Sequence, residues 1–248
     1  MDVKGTVAIV TGAARGIGQA TALALAREGA GGVVVADVKA AELEQTAEQV
    51  RAAGAEVLIA ETDVSDLASL RAMFEETEAR FGRLDVVHNN AGIGEGPSTW
   101  PEVAPERAAA IIDVNLRGVV LGTQLALEPM KRSGGGVVVN TSSGGAFVPL
   151  PPQAVYVATK AGVVHFTRSC VALHASHGVR VNAVCPGIVE TPMVHETGEG
   201  GIADWLKPLV DAIEPLRPED IAEAVLALVR DDSKVGEAVV VENQPRAQ

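Results

Sequence analysis

Short runs of β-branched residues alternate with longer alanine-rich segments along the whole chain, and this alternation limits the possible folds more than any other feature. The runs are almost continuously apolar, which is typical of strands covered by helices on both faces. They lie at 6–10, 32–37, 56–60, 84–89, 136–142, 179–184 and 237–241. Segments with helical periodicity lie near 16–28, 41–53, 66–81, 105–131, 154–176, 202–212 and 218–230. The pattern predicts a single α/β domain over 1–248, with a doubly wound parallel sheet of about seven strands.

The charge of the chain restricts its partners. Asp and Glu number 32 against 20 Lys and Arg, so the formal net charge is −12. Nucleic acid and anionic membrane surfaces both require a basic face, so neither is expected, and small-molecule partners are favoured. No uninterrupted apolar stretch is long enough to span a bilayer, no signal-peptide pattern is present, and we expect a cytoplasmic protein. The histidine pair in "HASH" (174–177) has no third ligand at a convincing spacing, and no metal site is predicted.

A glycine-rich segment, "TGAARGIG" (11–18), directly follows the first predicted strand and opens the first predicted helix. Gly12, Gly16 and Gly18 allow the backbone to turn tightly and to approach a pyrophosphate at the helix N-terminus. The spacing G-x-x-x-G-x-G differs from the commoner G-x-G-x-x-G, and an ordinary strand-to-helix turn is the alternative. The position at the first strand-to-helix junction favours a dinucleotide site.

Asp37, at the end of the second predicted strand, bears on the choice between NAD and NADP. A carboxylate here accepts hydrogen bonds from the ribose hydroxyls and repels a 2′-phosphate. Arg15, inside the glycine-rich segment, is the opposing signal, because a guanidinium pairs well with a 2′-phosphate. We expect NAD, with NADP the less favoured alternative.

Tyr156, the only tyrosine of the chain, lies four residues before Lys160 in "YVATK" (156–160). Residues at this spacing share one face of a helix. An ammonium beside a phenol favours the phenolate, so we expect Lys160 to lower the pKa of Tyr156 toward the working pH, as a general base requires. The alternative is that Tyr156 packs apolar surface and Lys160 is a solvated helix lysine.

Several further motifs follow in a fixed order at the predicted strand ends. They are "DV" (63–64), "NNAG" (89–92), "VN" (114–115), "SS" (142–143) and "PGIVETPM" (186–193). Together with the glycine-rich segment and "YVATK", they resemble the motifs of the short-chain dehydrogenases/reductases of the Tyr-x-x-x-Lys type, and the resemblance runs nearly from end to end. It implies a Rossmann-type fold and hydride transfer between a nicotinamide and a carbinol carbon.

The resemblance also implies a catalytic group formed by Asn115, Ser143, Tyr156 and Lys160. In that group Tyr156 exchanges the hydroxyl proton, Ser143 orients the substrate oxygen, and Lys160 also holds the nicotinamide ribose. Asn115 bends its helix and holds a water that links Lys160 to solvent. Ser142 is the alternative to Ser143 if the loop has a different register.

Cofactor contacts follow from the same resemblance. Asp63 and Val64 are expected at the adenine edge, and the Ile188 main chain and the Thr191 hydroxyl at the nicotinamide carboxamide. Asn89 and Asn90 are interpreted as partly structural. The predicted cofactor residues are Gly12, Arg15, Gly16, Ile17, Gly18, Asp37, Asp63, Val64, Asn90, Ala91, Gly92, Tyr156, Lys160, Pro186, Gly187, Ile188 and Thr191.

These features predict an NAD(H)-dependent dehydrogenase that interconverts a secondary alcohol and a ketone. An NADPH-dependent 3-oxoacyl-(acyl-carrier-protein) reductase and a non-catalytic nucleotide-sensing protein are the alternatives. Loops at 94–100, 144–153 and 192–207, with a main substrate loop at about 188–215, are expected to select a moderately apolar, not strongly anionic substrate. The apolar members of these loops are Trp100, Phe147, Pro151, Met193 and Trp205.

The resemblance further implies a homo-oligomer, a tetramer or a dimer, built on the helices near 105–131 and 154–176. The C-terminal sequence "VENQPRAQ" departs from the glycine-rich "DGG" segment with which many members of the family end. Because of this departure, the resemblance does not predict how the C-terminal tail packs.

Overall fold

A parallel sheet of seven strands forms the centre of the computed structural model, which describes residues 1–246. The strands are β1 Val7–Thr11, β2 Gly32–Asp37, β3 Glu56–Glu61, β4 Val86–Asn89, β5 Gly136–Thr141, β6 Val179–Pro186, β7 Ile213–Glu214, β8 Ala238–Val241 and β9 Gln244–Pro245. Their order across the sheet is β3-β2-β1-β4-β5-β6-β8, while β7 and β9 form a separate antiparallel pair.

The helices cover both faces of this sheet. They are α1 Gly16–Arg27, α2 Ala40–Ala52, α3 Leu67–Phe81, α4 Pro105–Ile112, α5 Gly118–Arg132, α6 Ala154–Ser169, α7 Leu173–His177, α8 Pro192–His195, α9 Lys207–Ala212 and α10 Pro218–Arg230. One apolar core lies between the sheet and α1, α2 and α10, and a second lies between the sheet and α3 and α5. The predicted doubly wound α/β fold is confirmed.

The strand order reverses at β1, and this reversal sets the position of the site. Val10 of β1 pairs with Val35 of β2 on one side and with His88 of β4 on the other. The connections after β1 and β4 therefore leave the sheet in opposite directions. In open α/β sheets a crevice forms at this point, outside the carboxyl ends of the strands.

Three predicted helices are shorter, less regular or more divided than the sequence indicated. The helix expected near 105–131 contains a π-helical turn, Asp113–Arg117, between α4 and α5. The helix expected near 202–212 begins only at Lys207, because Pro208 fits the first turn of a helix but not its interior. The segment expected as one helix near 154–176 is divided into α6 and α7.

The continuous helical segment Pro105–Arg132 has the length and composition of a membrane span, and the mean hydropathy of its most apolar 18 residues is 1.3. Charged residues interrupt the apolar residues of this segment, so the sequence contains no uninterrupted apolar stretch of this length. Its inner face packs on β4 and β5, with Ala126 and Met130 fully buried in the second core. A core helix of a globular domain has the same composition, and this packing covers the inner face of the segment.

A chain of buried amides and hydroxyls fastens α5 and α6 to the sheet. The Asn89 amide donates to the Asn140 side-chain oxygen at 2.9 Å and to the Thr123 hydroxyl at 3.2 Å. The Asn140 amide in turn donates to the Thr167 hydroxyl of α6 at 3.1 Å. Because buried polar groups are costly without partners, this chain fixes the register of the two helices over β4 and β5.

The Asn140→Ala variant should lower the free energy of unfolding by about 1–3 kcal/mol, because it leaves the buried Thr167 hydroxyl and one Asn89 contact without a partner. Urea denaturation measures this change, with Gln45→Ala on the exposed face of α2 as the control. A loss no larger than that of the control would contradict the stabilising role of these buried amides and hydroxyls.

Candidate functional site

A cavity of about 420 Å³ lies along the carboxyl ends of the strands, at the point where the strand order reverses. Residues from the ends of β1, β2, β4, β5 and β6 contribute to its walls, among them Gly12, Asp37, Asn90, Thr141 and Pro186. Its volume is in the range of small-ligand pockets. The sheet topology thus brings the carboxyl ends of five strands to one cavity.

Most of the predicted site residues lie in the wall of this cavity. They are Gly12, Arg15, Gly16, Ile17, Asp37, Asp63, Val64, Asn90, Ala91, Gly92, Ser143, Tyr156, Lys160, Pro186, Gly187, Ile188 and Thr191. Gly18 and Asn115 are not in the wall. Gly18 instead packs behind it, where an added Cβ would stand 2.1 Å from the Gly12 carbonyl oxygen.

The glycine-rich loop has a backbone that side chains would obstruct. Gly12 and Gly16 have φ values of 66° and 59°, in the left-handed region that favours glycine. A Cβ on Gly12 would stand 2.9 Å from the Ala91 Cα atom. The side chain of Arg15, at the N-cap of α1, makes no capping hydrogen bond, so it does not occupy the N–H groups of the first helical turn. This cradle fits an anionic group such as a pyrophosphate.

The carboxylate of Asp37 is held at one end of the cavity by two backbone N–H groups. Its Oδ2 accepts from Ala14 at 3.2 Å, and its Oδ1 accepts from Lys39 at 3.1 Å. These contacts fix the carboxylate beside the glycine-rich loop, where a ribose would be recognised.

Arg15 forms an ion pair that crosses the cavity. Its Nη2 lies 2.8 Å from Oε1 of Glu196, in the predicted substrate loop, and both residues line the cavity. The two loops also meet at Gly16, where an added Cβ would stand 3.2 Å from the Thr191 Cγ2 atom. The Arg15 guanidinium, which is the feature of the sequence that favours NADP, therefore already has a carboxylate partner.

Lys160 is buried beside Tyr156 on α6. Its side chain is 3% exposed, and its ammonium donates to the Thr141 carbonyl oxygen at the end of β5, at 2.8 Å. Burial disfavours the charged form and lowers the pKa of Lys160 to about 8. The ammonium nitrogen lies 5.7 Å from the centroid of the Tyr156 ring.

The pKa of Tyr156 is raised above its usual value, chiefly by burial, and the Ser143 side chain opposes the shift. The expectation that Lys160 would lower this pKa is wrong for the protein as it stands. The ammonium is directed at the Thr141 carbonyl and the ring, and desolvation of the phenolate outweighs its effect. Ser143 is the neighbour that acts on the phenol.

Asn115 lies in the π-helical turn and is fully buried. Its side-chain oxygen accepts from the Ile93 N–H and its amide donates to the Ile93 carbonyl, both at 2.8 Å. A Cβ on Gly92 would stand 3.4 Å from that oxygen and 3.5 Å from the Lys160 ammonium. The predicted helix irregularity is present, and Asn115 holds the 92–94 backbone against Lys160. The water relay stays a prediction.

Ser142 and Ser143 have different surroundings. The buried Ser142 hydroxyl donates to the Lys160 carbonyl at 2.8 Å, so its hydrogen is used within the fold. The Ser143 hydroxyl accepts from the Gly145 N–H at 3.1 Å and is only partly buried. It can therefore still donate into the cavity. This difference favours Ser143 as the residue that contacts substrate.

His88 lies behind Lys160 and was not singled out by the sequence. It is fully buried, with Nε2 2.8 Å from the Thr141 hydroxyl oxygen. Burial and the charge of Lys160 lower its pKa to about 3. His88 is therefore neutral near pH 7 and adds no second cation to the site.

Glu95 fixes the start of α6, and the sequence analysis did not identify it as a site residue either. Its Oε1 accepts from the N–H groups of Val155 at 2.7 Å and Tyr156 at 3.3 Å. It comes from a loop 60 residues earlier in the chain, so no local sequence signal could reveal it. Glu95 thereby helps to fix the helical turn that carries the phenol.

The C-terminal tail packs on the loop that follows β6. The Asn243 side chain accepts from the Ile188 N–H and donates to the Ile188 carbonyl, each at 2.8 Å, and also donates to the Glu214 carbonyl at 3.0 Å. The β7–β9 pair holds the same tail. The C-terminal sequence that departs from the glycine-rich ending thus contains Asn243, which fixes the backbone of Ile188.

Not all predicted substrate residues reach the cavity. Met193 and Trp205 line it, whereas Trp100, Phe147 and Pro151 do not. Trp100 and Phe147 are about half exposed, at 50% and 46%. The expectation that Trp100, Phe147 and Pro151 form the substrate wall is wrong, although Gly94, Gly96, Leu150 and Gln153 of the same loops do line the cavity.

Comparisons with known proteins agree with this geometry. The family model for the short chain dehydrogenase matches residues 6–201. Cis-4-hydroxycyclohexanecarboxylate dehydrogenase of Sinomonas cyclohexanicum is 40% identical, over 91% of this chain and 89% of its own. 15-Hydroxyprostaglandin dehydrogenase (NAD(+)) of Bos taurus is 36% identical, over 95% and 90%.

A solved structure is similar over nearly the whole chain. The crystal structure of 3-ketoacyl-(acyl-carrier-protein) reductase from Brucella melitensis, complexed with NADH, has a TM-score of 0.86 and 34% identity. The match covers 96% of this chain and 97% of that chain. Sequence motifs, fold and relatives agree, and the protein belongs to the short-chain dehydrogenase family of oxidoreductases.

Proposed function

We propose that the protein is an NAD(H)-dependent dehydrogenase that interconverts a secondary alcohol and a ketone, with Tyr156 as the general acid and base. The observation that carries the proposal is the meeting of Ser143, Tyr156 and Lys160 in one cavity with the glycine-rich cradle and Asp37. When bound, a nicotinamide would accept or supply the hydride.

The residues of this chain have distinct tasks in the reaction. The Tyr156 oxygen takes the hydroxyl proton during oxidation and returns it during reduction. The Ser143 hydroxyl orients the substrate oxygen and stabilises the phenolate, since its contact lowers the Tyr156 pKa. Lys160 supplies a positive charge beside the ring, and Asn115 is a positioning residue that acts through Ile93. Asp63, Val64, Pro186, Gly187, Ile188 and Thr191 would hold the two ends of the cofactor.

The preference for NAD rests on two carboxylates. A 2′-phosphate beside the glycine-rich loop would meet the carboxylate of Asp37, and Glu196 pairs with the guanidinium of Arg15, a candidate to neutralise such a phosphate. A phosphate beside a fixed carboxylate is strongly disfavoured. The NADH in the Brucella structure and the NAD(+) of the bovine relative support the same preference.

The substrate loop, at about 188–215, gives the cavity its apolar wall. Met193, Trp205 and Leu206 line the cavity, and so do Ile93 and Leu150. This wall suits a moderately apolar alcohol or ketone.

We also propose a homo-oligomer, because the helices near 105–131 and 154–176 expose apolar residues such as Ile112 at 47%.

A reductase of 3-oxoacyl-(acyl-carrier-protein) is the second candidate, favoured by the similarity to the Brucella protein. That protein binds NADH, so cofactor preference alone does not separate the two functions. An acidic carrier protein would meet a chain of net charge −12, which opposes docking. Turnover of an acyl thioester in preference to free cyclic alcohols would establish the second candidate.

The Tyr156→Phe variant should lose oxidation of secondary alcohols by a factor of about 10²–10⁴, because it removes the hydroxyl that exchanges the proton with the substrate. A panel of secondary alcohols with NAD⁺, followed by nicotinamide absorbance, measures this loss. Binding of NADH, followed by fluorescence, should be retained and shows that the fold is intact. Undiminished oxidation would contradict the mechanism, and a wild type without any turnover would favour a nucleotide-sensing protein.

The Ser143→Ala variant should move the pH profile of alcohol oxidation to higher pH. The phenolate is the active form in oxidation, Ser143 lowers the pKa of Tyr156, and its removal leaves burial unopposed. The apparent pKa from kcat against pH measures the change. Ser169→Ala, at an exposed hydroxyl at the end of α6, is the control. An unchanged profile, or a shift to lower pH, would contradict the role of Ser143.

The wild type should prefer NAD⁺ to NADP⁺. The Glu196→Gln variant should raise kcat/KM for NADP⁺ on the order of tenfold, because it frees the Arg15 guanidinium for one charged hydrogen bond. Asp37→Ser should raise it further. The control is Glu199→Gln, an exposed carboxylate of the same loop. A strong preference of the wild type for NADP⁺ would contradict the cofactor assignment.

A further inference from the structure

We propose that Asn243, in the C-terminal tail, is a positioning residue for the nicotinamide half of the cofactor, and that it acts through the backbone of Gly187 and Ile188. The inference rests on the proposed function, because it requires that the cavity binds a nicotinamide dinucleotide. It comes from one amide side chain that joins the tail, the cavity wall and the end of the substrate loop.

Pro186, Gly187 and Ile188 line the cavity at the end where the reaction would occur. A Cβ on Gly144, which follows Ser143, would stand 3.4 Å from the Pro186 carbonyl oxygen. In the proposed reaction the substrate oxygen contacts Ser143, and hydride transfer requires the nicotinamide within about 3–3.5 Å of the carbon that bears this oxygen. The segment that begins at Pro186 is therefore a wall of the nicotinamide end of the cavity.

The Asn243 side chain makes three hydrogen bonds to backbone groups of this region. Its oxygen accepts from the Ile188 N–H, and its amide donates to the Ile188 carbonyl, each at 2.8 Å. The same amide donates to the Glu214 carbonyl of β7, at 3.0 Å. The substrate loop, at about 188–215, begins at Ile188 and ends just after Glu214. One side chain thus joins the two ends of that loop.

Asn243 also packs directly against the Gly187 backbone, where an added Cβ would stand 2.2 Å from the Asn243 side-chain oxygen. The Gly187 N–H donates to the Val241 carbonyl at 2.9 Å, and the Leu216 N–H donates to the Ile188 carbonyl at 2.9 Å. The N–H and the carbonyl of Ile188 are therefore both satisfied within the fold. A carboxamide contact to the Ile188 main chain would have to displace one of these bonds, so Ile188 serves the cofactor as a wall of fixed position.

The neighbouring strands hold Asn243 in place before any cofactor binds. It lies between β8, which pairs with β6, and β9, which pairs with β7. The Arg246 N–H donates to the Ala212 carbonyl at 3.0 Å and extends this attachment. Because the tail is paired on both sides of Asn243, the amide is preorganised and can fix the 187–188 backbone.

Loss of Asn243 should affect only one half of the cofactor. The ADP half would lie against the glycine-rich loop and Asp37, at the ends of β1 and β2. In the sheet, β4 and β5 separate these strands from β6 and β8. A 187–188 backbone that is free to move therefore weakens binding of the nicotinamide ring and leaves binding of ADP-ribose unchanged.

The experiment compares NADH with ADP-ribose, which lacks the nicotinamide ring, by calorimetric titration. Asn243→Ala should weaken NADH binding about tenfold relative to ADP-ribose binding, because the hydrogen bonds that fix Ile188 are lost. Asn243→Asp keeps the shape of the side chain and the acceptor for the Ile188 N–H. It replaces the donor with a carboxylate oxygen that faces two carbonyl groups, so it should weaken NADH binding at least as much.

Two control variants separate this effect from changes to the tail or to stability. Gln244→Ala changes an exposed amide of β9 next to Asn243 and should leave both affinities unchanged. Asn182→Ala removes a similar pair of side-chain contacts outside the cavity wall, to the Lys234 carbonyl at 2.9 Å and from the Glu237 N–H at 3.0 Å. It should lower Tm without changing the ratio of the two affinities.

A ratio of NADH to ADP-ribose affinity that stays at the wild-type value in both Asn243 variants, or that falls equally in Asn182→Ala, would overturn the inference. Tighter NADH binding in Asn243→Ala would also overturn it, because the amide would then compete with the carboxamide for the Ile188 backbone. Failure of the proposed function has a separate signature. A wild type that binds neither NADH nor NADPH would refute the proposed function and the inference together, whereas selective loss of NADH affinity in a protein that oxidises no alcohol would refute the dehydrogenase activity alone.

Discussion

The hydrogen bond from the Lys160 ammonium to the Thr141 carbonyl is the contact on which the site depends. It joins α6 to the end of β5 inside the protein, where an ammonium without a partner would be expensive. Around it, His88 stays neutral, Asn115 holds the 92–94 backbone, and the Ser142 hydroxyl binds the Lys160 carbonyl. Each contact restricts how α6 can rotate or slide on the sheet.

This packing has an electrostatic consequence. The burial that holds Lys160 lowers its pKa to about 8, and the same low-dielectric surroundings raise the pKa of Tyr156. The two shifts have opposite signs because burial disfavours an ammonium and a phenolate alike. The Ser143 hydroxyl, which acts directly on the phenol, therefore opposes the shift and favours the phenolate, the form of Tyr156 that accepts a proton. A lysine one helical turn away does not by itself decide the pKa of the tyrosine.

Much of the fold could be predicted because its causes are local. Continuous apolar runs predict strands buried on both faces, and glycines at 12, 16 and 18 predict a turn that side chains would block. The π-helical turn around Asn115 could not be predicted from periodicity, since it is one short turn, Asp113–Arg117, between two helical segments. Glu95, Gln153 and Asn243 act through partners that lie far away in the chain or on the backbone, and such contacts leave no spacing to recognise. The direction of the Tyr156 shift was missed because burial, not the neighbouring charge, decides it.

The protonation of Tyr156 can be measured directly, because the chain contains one tyrosine. With ¹³C at the ring carbon that bears the hydroxyl, an NMR titration of the ligand-free protein follows a single tyrosine resonance. If burial in the cavity wall controls this phenol, the titration midpoint lies above the ordinary value of 10.0. A midpoint at or below 10.0 would contradict burial as the main influence on the phenol of the candidate site.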